Sequence, residues 1–227
     1  MSDFLSSFQQ DFIEKDRYLY LLRGLGNTLL IAVLAVLLGI VVGLVAIIRS
    51  THDKHGGLNV LNFICKMYLT IWRGTPTMVQ LLIMYYIILV ALDNKIAVAV
   101  IAFGLNSAAY VAEIVRSGIM SVDEGQFEAG RSLGLNYSQT MRLIILPQAF
   151  KNVLPALANE FITLLKETSI SGYIAIPDLT KGGDIIRSQT YDPFLPLFGV
   201  AIIYLIIVMI LTAGVHKLET RLRTNER

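Results

Sequence analysis

Charge is scarce in this 227-residue chain: Asp, Glu, Lys and Arg together make up 16% of it, against roughly 25% in a soluble domain. The net charge is only +2, and no basic stripe with interleaved aromatics appears, which excludes a nucleic-acid reading. The single cysteine, Cys65, rules out an intramolecular disulfide and a cysteine-based metal cluster. Of three histidines, His52 and His55 sit three apart in a short loop with no third ligand near, so a solvated loop is preferred to a metal site there. No Gly-x4-Gly-Lys-Ser/Thr phosphate loop exists, so the chain cannot bind ATP in that manner. No Ser-His-Asp order and no paired catalytic carboxylates stand out, so an enzyme has little support. There is no internal repeat and no low-complexity tract. A secretory signal is not visible either: residues 1–17 are polar and acidic (Asp3, Asp11, Glu14, Asp16), and the first apolar run is too long for a signal core.

What fills the chain instead is hydrocarbon. Hydrophobic residues are 55% of it and the mean hydropathy is +0.62, in runs long enough to cross a bilayer. The first span is expected over about residues 19–48. It carries Gly39 and Gly43, a spacing that either lets helices approach closely in lipid or is simply tolerated there. The next run, from Leu58 to Leu92, is too long for one straight span and holds Trp72-Arg73-Gly74-Thr75-Pro76 in its interior. Pro76 cannot donate a hydrogen bond and Thr75 is a natural N-cap. This predicts an interfacial segment, a kink, and a second span over 76–92. Arg73 reads as an interface anchor or, less readily, a substrate ligand. A third span is expected over 96–119, with Asn106, Tyr110 and Glu113 on one helical face. A fourth covers 150–165, with Asn159, Glu160 and Thr163 near its middle. A Gly-, Asp- and Pro-rich region of short helix and turns precedes a fifth span over 194–215 and a charged tail from Lys217.

Between the third and fourth spans lies a polar island, residues 121–147. Ser121 and Glu124 have capping-box spacing, Gly134 can end a short helix in the left-handed conformation, and Asn136 with Gln139 can begin another that Pro147 would end. Two short helices with a hinge make a stiff knob suited to docking. Here a family becomes recognisable. Glu128-Ala129-Gly130, then Gly134, Ile144 and Leu146-Pro147, resembles the "EAA" loop of ABC-importer permeases, with Gly130 where the signature has a second Ala. RGTPTMVQLL, NSAAYVAEIVRSGIM and NEFITLLKETS resemble the polar-amino-acid branch of that family, although Asp123 stands where a proline is common.

The resemblance implies an all-α integral membrane protein, a single permease domain over 1–227, with five transmembrane helices and a cytoplasmic coupling helix between spans 3 and 4. In this family Gly125, Glu128, Ala129, Gly130, Arg131 and Gly134 fall in the segment that engages the ATPase. The implied partners are a pair of ABC ATPase subunits that bind ATP and Mg, a second permease copy (most simply a homodimer), an extracytoplasmic substrate-binding protein, an amino-acid substrate and lipid. No cofactor is expected in the chain itself. Positive-inside counting places the N-terminus outside and the C-terminus in the cytoplasm. Ten Lys and Arg (49, 54, 116, 131, 142, 151, 217, 221, 223, 227) then fall inside and six (15, 17, 23, 95, 181, 187) outside.

Ionisable groups in a bilayer core are expensive and mark function by default. Asn106 and Glu160 are each expected about 15 Å from their membrane faces, so both reach mid-depth with Tyr110, Asn159 and Thr163 close by. Glu160 and Asn106, with Tyr110, Asn159 and Thr163, could hold a substrate's amino group or cationic side chain; alternatively Glu160 pairs within the protein and only supports packing. The reading is an importer subunit in a bacterial inner membrane, moving polar and by inclination basic amino acids by alternating access. An ATP-independent carrier or channel, or a structural subunit of a membrane complex, are the alternatives.

Overall fold

The computed structural model of the chain describes residues 2–51 and 60–224, with side chains over 4–44 and 63–222. His52, His55 and most of their loop lie outside the described residues. Every regular element among those described is helical. A short α1 (Ser2–Phe8) leads through a tight turn to α2 (Tyr18–Thr51), followed by α3 (Val60–Gly74) and α4 (Thr77–Ile83), the last prolonged by a π turn over Met84–Ile88. Next come α5 (Lys95–Met120), α6 (Gly125–Ser132), α7 (Tyr137–Thr140) and α8 (Leu146–Glu167), then α9 (Leu179–Thr190) and α10 (Phe194–Thr224). Among the described residues, three stretches are long and apolar enough to cross a membrane: Tyr18–Leu44, Lys95–Met120 and Phe194–Leu222, with mean hydropathies of 2.6, 1.8 and 2.9.

The centre is α5. The Asn94 side chain starts it by accepting the Ala97 N–H at 3.1 Å, and Val98, Ala102, Phe103 and Val111 are fully or almost fully buried. Its main partner is α2, and the contact depends on missing side chains. A Cβ at Gly39 would stand 3.0 Å from the Ser107 side chain, and one at Gly43 would stand 2.8 Å from the Ala108 carbonyl. Close approach is therefore what this glycine pair provides, and dispersion over the shared surface replaces a hydrophobic force that lipid cannot supply.

The second apolar run breaks at Pro76 as expected, between α3 and α4. Residues 77–88 form about 18 Å of helix, short of a core about 30 Å thick. On α3, Tyr68 donates its hydroxyl to the Leu105 carbonyl, and the Trp72 carbonyl meets Asn106, so α3 packs beside the middle of α5. Thr75 is not the cap of α4: Pro76 occupies that position in extended conformation (φ −64°, ψ 136°) without a side-chain cap, and the Thr75 hydroxyl donates back to the Ile71 carbonyl at 2.8 Å.

Three further boundaries differ. Ser121 and Glu124 form no capping box: Ser121 bonds back to Gly118, and it is Asp123 that accepts the Gly125 N–H at 2.8 Å. Pro147 does not end a helix but sits in the first turn of α8, directly after the π turn, where the missing N–H of proline coincides with the local change in the helical hydrogen-bond pattern. A π turn over Met141–Ile145 carries α7 directly into α8. At the C-terminus, helix α10 runs on through the tail to Thr224.

On the far side from α6, α9 folds back against α2 and α10. Its backbone touches α2 where Cβ atoms are absent, at Gly24 against the Asp178 carbonyl and at Gly182 against the Tyr20 carbonyl. Asp178 caps α9 by accepting the Lys181 N–H at 2.9 Å, while Thr28 of α2 accepts the Leu179 N–H at 3.1 Å. Asp178 is fully buried, and burial pushes its carboxyl from 3.8 up to about 6.

Two predictions follow from this packing. Gly43→Leu should drive α2 away from α5 and lower stability by about 1–3 kcal/mol, read as a lower thermal midpoint of the detergent-solubilised protein, with Gly26→Leu, a position where a Cβ meets nothing within 4 Å, as the neutral control. For Asp178, the folded state binds a proton that the unfolded chain has already lost between pH 4 and 6, so acidification through that window should stabilise the wild type. Above it the buried charge costs on the order of 3 kcal/mol. Asp178→Asn retains an oxygen for the cap, and the wild-type-minus-variant stability difference should shrink steadily from pH 7 to pH 4.

Candidate functional site

The break between α3 and α4 leaves backbone acceptors without helical partners, and the buried Gln80 collects them. Its Nε2 lies 2.8 Å from the Trp72 carbonyl, 3.0 Å from the Thr75 carbonyl and 2.7 Å from the Thr75 hydroxyl. Its Oε1 accepts from Asn106 Nδ2 at 2.7 Å. Both amides are buried. Asn106 is thus committed to bracing the broken helix against α5, a role the sequence did not suggest. The position of Gln80 four residues after Pro76 is the sequence signal for its own role.

Next to Asn106 on α5, the fully buried Ser107 donates its hydroxyl to Glu160 Oε1 at 2.9 Å. Glu160 is half-buried on α8, with Asn159 and Thr163 exposed on either side of it. Two turns further along α8, Glu167 approaches the Thr77 hydroxyl at 3.5 Å. The structure therefore brings Glu160 to α5 as the sequence implied, but through Ser107 instead of Asn106, and it leaves one carboxylate oxygen of Glu160 for another partner. Tyr110, three residues along α5, is half-buried with the Arg73 guanidinium 5.9 Å from its ring centre. Arg73 also pairs with Glu113 at 3.4 Å, and Glu113 in turn holds Arg116 through a 3.1 Å contact to its Nε and a shorter one to its terminal nitrogen. Arg73 is thereby tied to α5 through a carboxylate.

At the end of α5 the chain builds the knob. Helix α6 closes on Gly134 (φ 78°), with the Leu135 N–H bonded to the Gly130 carbonyl at 3.0 Å and the Gly134 N–H to the Arg131 carbonyl at 2.9 Å, the two-bond Schellman ending. Asn136 and Gln139 then form a reciprocal capping box, with both bonds at 2.9 Å. The rings of Phe127 and Tyr137 stack 6.0 Å apart and within 12° of parallel. Gly130 is buried, and a Cβ there would stand 2.6 Å from the Thr140 side chain. Gly130 is therefore the point at which α6 and α7 touch, not merely a weak helix former. The base is apolar, built on Val122, Ile145 and Ala149. The opposite surface presents Gly125, Glu128, Ala129 and Arg131 to solvent, with Leu133 75% exposed beside them.

Residues 58–224 match the family described as "Binding-protein-dependent transport system inner membrane component". The chain belongs to this family. Among individual relatives, it is 38% identical over 210 residues to the arginine transport system permease protein ArtQ of Bacillus subtilis, covering 91% of this chain and 94% of that one. It is 36% identical over 212 residues to a protein of Rickettsia typhi assigned as a glutamine transport system permease, GlnP, covering 92% and 95%. Among solved structures, an amino acid ABC transporter crystallised with histidines superposes with a TM-score of 0.85 at 38% identity, over 92% of this chain and 98% of that one. The inward-facing methionine transporter MetNI, at 20% identity and a TM-score of 0.76, shares the fold. The architecture of the permease is thus that of an ABC-importer membrane subunit, and the knob formed by α6 and α7 stands where the family's loop motif falls in the sequence.

Proposed function

We propose that this chain is the permease subunit of an ATP-driven importer of polar amino acids, with a preference for basic ones, in a bacterial inner membrane. The whole of 1–227 acts as one domain with five spans: α2, the end-to-end pair α3–α4, α5, α8 and α10. The N-terminus lies outside and the C-terminus in the cytoplasm. The observation that carries the reading is the knob, a rigid and exposed elbow joined without slack to α5 on one side and, through the π turn, to α8 on the other.

A partner ATPase pair, binding ATP and Mg, docks on Glu128, Ala129 and Arg131. Its closure pulls the knob, and because α5 and α8 both grow from it the two helices move together. A second permease copy completes the pathway, and an extracytoplasmic binding protein delivers substrate. At mid-depth the free oxygen of Glu160 takes the cationic group of the amino acid, with Tyr110, Asn159 and Thr163 around it and Asn106 holding the scaffold behind. The relatives named for arginine and glutamine transport support a polar amino-acid substrate, and a carboxylate at this depth favours a basic one. An ion-driven carrier or a structural subunit would have no use for the knob.

The test is uptake by the reconstituted complex. Glu160→Gln should reduce transport of arginine or lysine by about 10- to 100-fold, the loss expected of one hydrogen bond between charged groups, while unstimulated ATP hydrolysis persists. Normal uptake together with normal substrate-stimulated hydrolysis would remove Glu160 from the pathway.

A further inference from the structure

The chain ahead of the first span is folded against the bundle. It forms α1 and a π turn over Gln9–Ile13, and Lys15 and Asp16 then reverse it into α2 with φ of 55° and 53°. Two successive left-handed residues that are not glycine are disfavoured, so contacts on either side have to hold the reversal. Phe12 supplies one. It joins the buried cluster of Leu21 on α2, Leu179 and Ile186 on α9, and Leu195 and Val200 on α10. Its ring lies against Gly199, where a Cβ would meet it at 3.2 Å. Arg17 supplies the other. Buried as it is, it donates from Nε to Gln189 Oε1 of α9 at 3.2 Å and from a terminal nitrogen back to the Gln10 carbonyl. The apolar side of the segment continues outward from Phe12. The Phe8 ring is 5.1 Å from the Phe12 ring, and Phe4, Leu5 and Phe8 fall on one arc of α1 about 100° wide. All three are exposed, while Ser6 and Gln10 take the other side.

We propose that residues 4–13 lie in the headgroup layer of the outer leaflet, with Phe4, Leu5 and Phe8 among phospholipid acyl chains, and that they hold α9 at that surface through Phe12 and Arg17. The occupant is lipid because the apolar face is continuous with the surface that crosses the bilayer. Gly199, against which Phe12 sits, is in the second turn of the apolar stretch Phe194–Leu222. Phe194 and Phe198 on that stretch are exposed, as are Tyr18 and Tyr20 at the start of α2. An aromatic collar of this kind marks the boundary between hydrocarbon and water. A helix with apolar residues on one side and polar ones on the other lies flat at that boundary, its apolar face buried by about 5–10 Å. Residues 4–13 contain no Lys or Arg, so burial of the rings, not attraction to anionic headgroups, supplies the binding. The choice of leaflet rests on the N-outside reading of the topology; the contact with lipid does not.

The experiment uses the complete complex in nanodiscs of phosphatidylcholine, with Trp72, the chain's one tryptophan, replaced by Phe and the signal of that background subtracted. Lipid brominated near the headgroup end of its acyl chains should quench Phe8→Trp at least three-fold more than Gln10→Trp. It should also quench Phe8→Trp more than lipid brominated near the methyl end does. In the double variant Phe4→Ser/Phe8→Ser, the amide hydrogens of α9 should exchange at least five-fold faster than in the wild type, with those of the knob unchanged. Equal quenching of Phe8→Trp and Gln10→Trp would overturn the proposal and leave the face to a protein partner; so would α9 exchange unaltered by the serine pair. The leaflet is read separately. In a Cys65→Ala background, Gln10→Cys should react with a membrane-impermeant maleimide in right-side-out vesicles and not in inverted ones. The reverse pattern, with quenching of Phe8→Trp intact, would refute the N-outside reading and with it the outer leaflet, and would be told apart from a failure of the lipid contact.

Discussion

A carbonyl group in hydrocarbon has no water to turn to, so a helix that breaks inside a membrane must have its loose ends bonded by the protein. That constraint organises this molecule. Pro76 breaks the helical path between α3 and α4, and the acceptors at Trp72 and Thr75 are taken by the amide of Gln80, itself held by Asn106. With Asn106 fixed, Ser107 beside it is fixed too, and Ser107 is what positions Glu160. The same brace determines where α3 ends and hence where Arg73 lies over Tyr110. A polar chain thus runs from the break, through α5, to α8, and each member is bonded because an unbonded one would cost several kcal/mol in such surroundings.

Around the brace, packing is arranged to transmit displacement without absorbing it. The glycines of α2 set that helix against the Ser107–Val111 stretch of α5, so α2 and α5 act as one body. At the other end, Gly130 presses α6 onto Thr140 and Gly134 closes the turn. With α7, the π turn and α8 following without a gap, a push on the elbow has few places to be lost. Cores of this kind are close-packed and shift between discrete arrangements instead of deforming smoothly.

Much of this was legible in the residues themselves. The elbow was readable because its signals are local: Gly134 for the left-handed turn and the Asn136–Gln139 pair for the cap each depend on neighbours a few positions away. The glycine pair at 39 and 43 announced a close contact but not its partner. What could not be read was contact between distant parts. Nothing local distinguishes an Asn106 that meets substrate from one that satisfies a broken helix thirty residues earlier, and only the fold brings Gln80 to it. The run before Pro76 reads as separate from the span after it because of its length and the proline; that Tyr68 and the Trp72 carbonyl bond to α5 is a long-range contact with no local signal. The capping-box spacing of Ser121 and Glu124 goes unused because the Ser121 hydroxyl bonds back to the Gly118 carbonyl and Glu124 itself stands at the start of α6.

The central claim, that the exposed face of α6 is where an ATPase engages this chain, is tested most directly by site-specific cross-linking in the assembled complex. With Cys65 replaced by Ala and Ala129 by Cys, a short bifunctional thiol reagent should join this subunit to the ATPase in high yield, and ATP should alter that yield. Modification of residue 129 only by a reagent confined to the outer face, or the absence of any cross-link to a nucleotide-binding subunit, would contradict the account.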